Sequence, residues 1–478
     1  MNILMLASEL APLAGAGDLA SEMAGLCGEL KAQGHDVAVV LPYYRSVKEG
    51  KAIKAKKLSL KISVPLGSAK YSCDIFEGTT STGVKVYLVG REEFYDRTGL
   101  YGSEGRDYQD NAARFFFLSK CALELAKKLD PKPDVIHAHG WQTAFASVFA
   151  RDQKLPFRTV FTPHTLEYQG NFWSYDFSLT NLSGDYFSPR GVEYYGSMNC
   201  VKSGILFSDA VILPSEIAAS AMQTARWGCG LEPVLREFQY KLYGIPTDLN
   251  AGHWDPAVDK QIAAPFSTKK PEARAKNTAP LLLALQLDPD PKDGVFVVHT
   301  QASGMEHLDA LIESLDRLLA SDTRVAILGP VDAKYDSAIQ VVVRKHAGRV
   351  AYRPDADEAL VRLAFAGTDF FVLPGTAEPS ALWLVRSLKY GAVPVAFQCG
   401  GIAQFVQTFG ESTDGFTYRA ATADGLLDVL RRAMKTVGNG EIARLSAAAM
   451  SRDFSRAASA RKHVELYESL LGVVAKAA

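Results

Sequence analysis

The sequence has no long apolar run, no excess of charge of either sign and no closely spaced pair of cysteines. A membrane-spanning helix needs about 18–20 consecutive apolar residues, so we expect no membrane span. Lys and Arg number 52 against 53 Asp and Glu, which argues against a nucleic-acid-binding protein because such proteins carry a basic face. The N-terminus lacks the basic, apolar and small-residue order of a signal peptide, and we expect a cytoplasmic protein.

The cysteine and histidine patterns predict neither a disulfide framework nor a metal site. Six cysteines are scattered along the chain, at positions 27, 73, 121, 200, 229 and 399. In a cytoplasmic protein we expect them to be buried and reduced. His137 and His139 lie two apart on a predicted strand and point the same way, but no acidic residue or cysteine follows at the spacing of a zinc site.

The 478 residues alternate between apolar strand-like runs and helical patterns, and they do so twice. Such alternation predicts an α/β fold with parallel sheets covered by helices. The first series has strands at residues 3–7, 37–41, 85–89, 134–139, 159–162 and 210–213. After a polar, proline-containing connection at residues 259–293, the second series has strands at 295–299, 325–328, 350–352, 370–373 and 393–396. We therefore expect two Rossmann-like domains, residues 1–250 and 251–454, with a ligand cleft where the carboxyl ends of their strands face each other.

The first strand is followed by a loop containing Gly15 and Gly17, and a helical pattern then begins at Leu19. Strand, glycine loop and helix N-terminus is an arrangement in which open α/β proteins bind phosphate through bare backbone N–H groups. Many short loops of this kind are only turns, so the pattern alone leaves both interpretations open.

The segment between residues 165 and 199 is rich in aromatic side chains. A long ordered connection in an α/β protein is often functional. Its rings either stack on sugar rings or fold onto the edge of the sheet, and the sequence does not separate these two hypotheses.

Several motifs resemble, in order, those of bacterial glycogen synthases and plant starch synthases. The matching segments are residues 7–12, 15–19, 34–37, 95–115, 137–143, 161–165, 228–231, 254–256, 377–382, 390–395 and 400–401. The resemblance covers about residues 2–471. It implies the GT-B glycosyltransferase fold, with two Rossmann-like domains and a last helix, here residues 455–478, that returns to the first domain. It also implies retaining transfer of glucose from a nucleotide sugar such as ADP-glucose to the 4-hydroxyl of an α-glucan, without a metal or other cofactor.

The resemblance places a donor site at Gly15, Gly17, Asp18, Gln301, Glu306, Gly400 and Gly401, and catalytic positions at His164 and Glu378. Many of the family's polar residues are replaced in this sequence. The departures are Gly15 for Lys, Asp18 for Gly, Gly140 for Asp, Thr165 for Asn, Thr247-Asp248 for Asn-Gly, Gln301 for Arg, Glu306 for Lys, Phe397 for Arg and Cys399 for Thr. A departing diphosphate needs cations at contact distance, so the resemblance implies weak or absent transfer of glucose.

Asp18 and Glu306 each stand just before or within the first turn of a predicted helix. A carboxylate there stabilises the positive end of the helix dipole by about 0.3–1 kcal/mol. Either residue alone is an ordinary helix-start acid. Their joint occurrence at both phosphate positions favours an abandoned donor site. For His164 and Glu378, the alternatives are a structural histidine after a strand and a Glu-Pro turn.

Two functions remain open from the sequence. One is an active α-glucan synthase, and the other is a non-catalytic member that binds glucan or regulates a partner glucan synthase. We expect glycogen or maltooligosaccharide as a partner in either case. The fold alone does not decide between them.

Overall fold

The chain divides into two units that interleave along the sequence. The computed structural model describes residues 1–17, 19–245, 254–300, 308–375, 382–398, 406 and 414–472. The first unit comprises Met1–Ser215, Ala221–Asp248 and Ser455–Ala478, and the second comprises Glu216–Ser220 and Leu249–Phe454. The second unit is thus inserted into the first.

Fourteen strands of the first unit lie within the described residues. In chain order they are β1 Asn2–Leu6, β2 Asp36–Pro42, β3 Lys56–Leu66, β4 Ala69–Thr79, β5 Lys85–Gly90, β6 Gly102–Ser103, β7 Arg106–Asp107, β8 Val135–His139, β9 Arg158–Thr162, β10 Asn171–Trp173, β11 Glu193–Tyr194, β12 Ser197–Asn199, β13 Ala210–Leu213 and β14 Leu242–Gly244. Nine of these form one sheet in the order β14-β13-β9-β8-β1-β2-β5-β4-β3. A separate ribbon has the order β10-β12-β11.

The sheet is parallel from β14 to β5 and antiparallel beyond it. Continuous apolar runs form the central strands because these are buried on both faces, as in β1 and β13. The hairpin of β3 and β4 adds two antiparallel strands at one edge. The sequence reading did not include this hairpin, so the expectation of a purely parallel sheet was wrong at that edge.

The helices of the first unit cover its sheet. In chain order they are Leu19–Ala32, Arg45–Gly50, Glu92–Tyr95, Asn111–Ala126, Phe145–Asp152, Cys200–Phe207, Glu232–Glu237 and Arg456–Leu471, with 3-10 turns at Ser174–Thr180, Gly184–Tyr186 and Gln239–Lys241. A further helix, Glu216–Ala221, lies mostly in the segment assigned to the second unit.

The C-terminal helix Arg456–Leu471 packs on the N-terminal helix Leu19–Ala32. A Cβ on Gly25 would lie 3.0 Å from the Arg456 guanidinium, so the absence of a side chain permits the close approach. Ser455 caps the C-terminal helix by accepting a hydrogen bond from the Ala458 N–H. Farther along, the Tyr467 hydroxyl lies 2.7 Å from Nδ1 of His137. The last helix is therefore part of the first unit's core.

The second unit has an all-parallel sheet of six strands in the part of the chain that is described. Its strands are β15 Val295–His299, β16 Arg324–Leu328, β17 Val350–Arg353, β18 Phe370–Leu373, β19 Val393–Phe397 and β20 Phe416–Tyr418, in the order β17-β16-β15-β18-β19-β20. The helices are Thr278–Ala284, Leu308–Leu318, Ala333–Lys345, Glu358–Gly367, Leu382–Lys389, Ala423–Gly438 and Ile442–Ser451, with a 3-10 turn at Pro271–Asn277. Separate hydrophobic clusters cover the two faces of the sheet.

The predicted fold class is confirmed, since each unit is an α/β sheet layered with helices and each predicted strand is present. No helix among the described residues has the length and apolar character that a membrane crossing requires. The expected burial of the cysteines holds for Cys27, Cys73, Cys121 and Cys200 but is wrong for Cys229, which is exposed.

Candidate functional site

The glycine loop after β1 is held by a carboxylate from its own unit. Oε2 of Glu9 accepts hydrogen bonds from the backbone N–H groups of Ala16, at 2.7 Å, and Gly17, at 3.3 Å. Oε1 of Glu9 accepts a hydrogen bond of 2.5 Å from the Tyr101 hydroxyl. Glu9 is only 4% exposed. The two N–H groups that a phosphate would need are therefore already bound to an anion.

Gly15 begins this loop and has little room for a side chain. A Cβ at Gly15 would lie 2.8 Å from Cβ of Ala20, whereas one at Gly17 would meet nothing within 4 Å. A lysine at position 15 therefore requires a small movement of the loop. Asp18, the third residue predicted for this part of the donor site, lies outside the described residues.

His164 follows β9, and its ring lies between the side chains of Glu22 and His139. Its Nδ1 is 2.9 Å from Oε2 of Glu22, in the first turn of the N-terminal helix. Its Nε2 is 3.0 Å from Nδ1 of His139, the last residue of β8. His164 has a φ of 61°, a left-handed conformation that is uncommon for a residue with a Cβ. An unusual backbone of this kind is typical of functional positions.

One proton position in this group follows from its acceptor. A carboxylate only accepts hydrogen bonds, so Nδ1 of His164 donates to Glu22. Nε2 of His164 and Nδ1 of His139 form the next hydrogen bond, in which either ring can be the donor. Nε2 of His139 is buried with no partner among the described residues.

Burial keeps His137, His139 and His463 neutral. It lowers the pKa values of His137 and His139 well below the usual range, and lowers the pKa of His463 to about 4. His139, His164, Glu22 and His463 line a cavity of about 30 Å³. A cavity of this size holds one or two water molecules, which can form a hydrogen bond with the unpartnered nitrogen of His139.

Two replaced positions of the predicted polar centre are described. Gly140 follows β8 with a φ of 74°, and a Cβ there would lie 2.5 Å from Oε1 of Gln142, the end of a flexible side chain. Thr165 follows His164 and accepts a hydrogen bond from the Glu167 N–H. Both positions lie at the carboxyl ends of parallel strands, where α/β proteins bind ligands.

The remaining predicted site residues lie outside the described residues. These are Asp18, Gln301, Glu306, Glu378, Gly400 and Gly401. The structure therefore brings together the glycine loop with Glu9, and His164 with His139 and Glu22. Sequence reasoning missed Glu22 as a partner of His164, because the two residues are 142 positions apart and no local pattern connects them.

The carboxyl end of β15 carries a second feature that the sequence reading missed. The His299 ring packs against Trp383 with centroids 4.3 Å apart and the ring planes tilted by 42°. Nδ1 of His299 is buried without a described partner, and burial together with nearby Arg386 lowers the pKa of His299 to about 4. A neutral imidazole and an indole therefore stand at the end of the second unit's central strand.

The aromatic segment separates into an inward and an outward set of rings. Phe172 faces inward and lies 5.6 Å from the Trp141 ring, which also packs 5.2 Å from Phe115. Trp141 is therefore part of an aromatic cluster and only partly accessible. The outward set is strongly exposed: Tyr168 by 71%, Trp173 by 77%, Tyr175 by 84% and Tyr195 by 90%. The inward rings pack against the protein, as one hypothesis expected, and stacking of the outward rings on sugars stays a prediction.

The ribbon of β10, β12 and β11 places Trp173, one of the outward rings, in register with the half-buried Tyr194. Trp173 and Tyr194 both pair with Ser197, so the three residues form one row on one face. Neighbouring strands are about 4.8 Å apart, which places the two aromatic residues roughly 10 Å apart across the row. Tyr195 and Gly196 form the two-residue turn of the hairpin with φ values of 49° and 82°. A bulky side chain is therefore held exposed in a conformation that favours Asn or Gly.

No group of three or more His, Cys, Asp or Glu side chains that could hold a metal ion occurs in the described part of the chain. The hydrogen-bonding groups of the histidine cluster suit a polar organic ligand. The outward rings of the ribbon suit the flat faces of sugars.

Known proteins resemble this chain over nearly its whole length. Residues 2–237 match the family model described as the starch synthase catalytic domain. A glycogen synthase of Geotalea uraniireducens is 33% identical over 98% of this chain and 99% of its own length. A protein named glycogen synthase 2, of Geobacter sulfurreducens, is 32% identical over 98% of each chain. Among solved structures, the catalytic domain of starch synthase IV of Arabidopsis thaliana, bound to ADP and acarbose, has a TM-score of 0.72 and 27% identity, covering 98% of this chain and 99% of its own.

Proposed function

Because this chain belongs to the glycogen and starch synthase family, we propose that it binds α-glucan and that its transfer of glucose from ADP-glucose is weak or absent. The observation that carries the second part is the glycine loop. It has Gly15 where the family has a lysine, and the Ala16 and Gly17 N–H groups donate to Glu9. A diphosphate approaching this loop would meet a carboxylate without the cation that offsets it.

The size of the effect follows from the role of the missing cations. The family reaction uses no metal, so cationic side chains and helix N-termini have to stabilise the departing diphosphate. Removal of one preorganised stabiliser of this kind commonly costs about 10²–10³ in rate, or roughly 3–4 kcal/mol. Glu9 belongs to the segment that resembles the family, so its carboxylate alone does not distinguish an active member. The missing lysine does.

The sequence of the second unit supports the same proposal. Gln301 and Glu306 stand where the family has Arg and Lys. With Gly15, three cations are replaced, and Asp18 and Glu306 add negative charge. The losses do not add simply, because groups that stabilise one leaving group act together.

The glucan-binding part of the proposal is supported by the outward rings of the ribbon. Trp173 and Tyr195 offer strongly exposed flat faces, and Ser197, between Trp173 and the half-buried Tyr194, offers a hydroxyl. Tyr195 is 90% exposed although its backbone is strained, which favours a role for its ring in binding. A protein with this balance of properties would hold glucan or support a partner synthase rather than extend the chain itself.

Separate titrations test the two parts. We expect calorimetry to detect maltoheptaose binding, weakened by Trp173→Ala, and to detect no ADP binding up to about 1 mM. Transfer of labelled glucose from ADP-glucose to glycogen should be at least about 10³-fold slower than in an active relative measured in parallel. ADP binding at micromolar concentration, or transfer at a comparable rate, would show an active synthase. Absence of maltoheptaose binding would overturn the glucan part.

A further inference from the structure

Lysines are concentrated in one short part of a chain whose charges otherwise balance. Residues 48–70 contain seven lysines and a single acidic residue, Glu49. This segment includes the second half of the helix Arg45–Gly50 and the whole of β3, the last strand at one edge of the first unit's sheet. The seven are Lys48, Lys51, Lys54, Lys56, Lys57, Lys61 and Lys70.

Most of these lysines have no anion beside them. Lys48 pairs with Glu92 and Asp96, and Lys57 pairs with Asp74. The other five are exposed, and among the described residues they form no ion pair and no side-chain hydrogen bond. Five positive charges on this surface are therefore balanced only by ions of the solvent.

The hairpin of β3 and β4 places part of this charge on one face of the sheet. Lys61 of β3 and Lys70 of β4 point to the same face, and the register of the hairpin puts them roughly 14 Å apart. Cys73 points to the other face, where its Sγ lies 3.5 Å from Sγ of Cys121 in the helix Asn111–Ala126. The two lysines are therefore turned away from the helix that covers this hairpin.

A groove of about 660 Å³ borders the lysine face. Tyr43 and Phe76 line it with ring centroids 4.6 Å apart, and Phe76 shares the face of Lys61. A Cβ on Gly90 would lie 2.8 Å from the Phe76 ring, so the absence of a side chain leaves room for that ring. Each carboxylate of the lining is paired with a cation. The pairs are Asp74 with Lys57, Glu92 with Lys48 and Glu93 with Arg91.

Protection of the sheet edge explains part of this charge. Lysines on an edge strand oppose pairing with a further strand, and an irregular register does the same. The three lysines of β3, which also has a break in its register, serve this purpose. Lys51 and Lys54 precede the strand, and Lys70 belongs to β4, which is paired on both sides. Edge protection does not explain these three lysines.

Three kinds of occupant fit this surface poorly. A membrane surface would need exposed apolar side chains beside the lysines, but among the described residues no strongly exposed large apolar side chain precedes Tyr168. A nucleic acid would need accessible rings for stacking, and Tyr43 and Phe76 are half-buried. A second copy joined through the same surface by a twofold axis would bring lysines against lysines.

We propose that this surface docks an extended acidic segment of a partner protein. Two carboxylates four residues apart in an extended segment are about 13 Å apart, which lets them reach Lys61 and Lys70. A segment that follows β4 from Lys70 passes Lys61 and then reaches Phe76, two residues farther along. An apolar side chain at that point enters the groove. The charges speed the encounter, and the apolar side chain fixes the position of the segment.

This inference goes beyond the proposed function and does not depend on it. The segment docks on the outer face of the hairpin whether or not the chain transfers glucose. Its test uses neither glucan nor ADP, so a failure here leaves the outcome of those titrations unaffected.

Fluorescence anisotropy tests the full chain with a labelled, amidated peptide, Glu-Ser-Glu-Ser-Glu-Ser-Phe. At low salt we expect saturable binding with a Kd below about 1 mM, which weakens as the ionic strength rises. Lys61→Gln combined with Lys70→Gln should weaken binding by about tenfold. Lys269→Gln combined with Lys435→Gln changes the net charge equally, at exposed lysines of the second unit, and should have no effect. A peptide with serine in place of phenylalanine should bind at least about fivefold more weakly.

Four results would overturn the proposal. One is the absence of peptide binding up to about 1 mM. Another is equal weakening by the control pair, which would indicate a general effect of net charge. A third is equal affinity for the serine peptide, which would show that no apolar side chain docks. The fourth is a different class of partner. Tighter binding of an RNA tetranucleotide, which carries the same three charges, or sedimentation with phosphatidylserine vesicles at about 0.15 M salt would show this.

Discussion

Glu22 and His164 are joined by a hydrogen bond of 2.9 Å between Oε2 and Nδ1, although they lie 142 residues apart. The bond ties the N-terminal helix to the loop after β9, and His139 continues it through the other ring nitrogen. Both nitrogens of His164 are therefore used within the first unit. The side chain that the family resemblance marks as catalytic also holds two elements together.

Replacing Glu22 by Gln should destabilise the first unit. Glutamine keeps the shape of the side chain but loses the charge that strengthens the bond to His164. We expect a loss of about 1 kcal/mol in the free energy of unfolding, measured with urea. Glu29→Gln lies on the same helix, where Glu29 has no described partner, and should change the stability by much less. Equal losses in both variants would contradict a specific role for the pair.

The stability of the first unit should fall as the pH falls from about 6.5 toward 4. The pKa of buried His463 is about 4, below the ordinary value of about 6.5, so the unfolded chain takes up a proton that the folded chain does not. The contribution of His463 to the free energy of unfolding is fully present above about pH 6.5. It decreases as the pH falls, by at most about 3 kcal/mol. His463→Gln should flatten the profile measured by urea unfolding. An unchanged slope in His463→Gln would refute this.

Tyr195→Asn should move stability and glucan binding in opposite directions. Asn-Gly is the favoured pair for a two-residue turn with two positive φ values, so removal of the strained tyrosine should raise stability by about 0.5–1 kcal/mol. The loss of the ring should weaken maltoheptaose binding. Thermal unfolding and calorimetry measure the two effects. Tyr240→Asn, at another exposed tyrosine, should leave the glucan affinity unchanged. If Tyr195→Asn binds glucan as tightly as the parent chain, the ring has no part in binding.

Restoring the cations should recover ADP binding before it recovers turnover. The variant combines Gly15→Lys, Gln301→Arg and Glu306→Lys, with Asp18→Gly to remove the remaining carboxylate of the loop. Two carboxylates close to a diphosphate repel it strongly where the effective dielectric constant is low. Turnover should remain low because Gly140 and Thr165 still replace polar residues.

The matched control for this variant is Gly15→Gln in the same background. Both side chains bring a Cβ to 2.8 Å from Ala20, so both require the same movement of the loop and differ mainly in charge. Tight ADP binding with glutamine at position 15 would show that charge at this position is not what limits binding. Calorimetric titration with ADP makes the comparison.

The central strands could be predicted because burial on both faces demands an unbroken apolar run, as in β1 and β15. The hairpin of β3 and β4 also left a signal, since Leu58, Leu60, Ile62, Val64 and Leu66 alternate with polar residues. The contact of Glu22 with His164 could not be predicted from the sequence, because it depends on the packing of elements that are distant along the chain. The link from Glu9 to the glycine loop is local, yet a glutamate that binds backbone N–H groups looks like any other glutamate in a sequence.

The interleaving of the two units affects the order in which they can fold. Domains generally fold as the ribosome releases them, N-terminal first. Here the first unit cannot complete its core before its last helix is synthesised. Tyr467, whose hydroxyl bonds to His137, leaves the ribosome only after the whole second unit. A chain that stops after Phe454 would carry a finished second unit joined to a first unit that lacks one wall of its core. Nascent copies therefore spend the time needed to synthesise over two hundred residues with that wall open, and this interval is when a chaperone would be needed most.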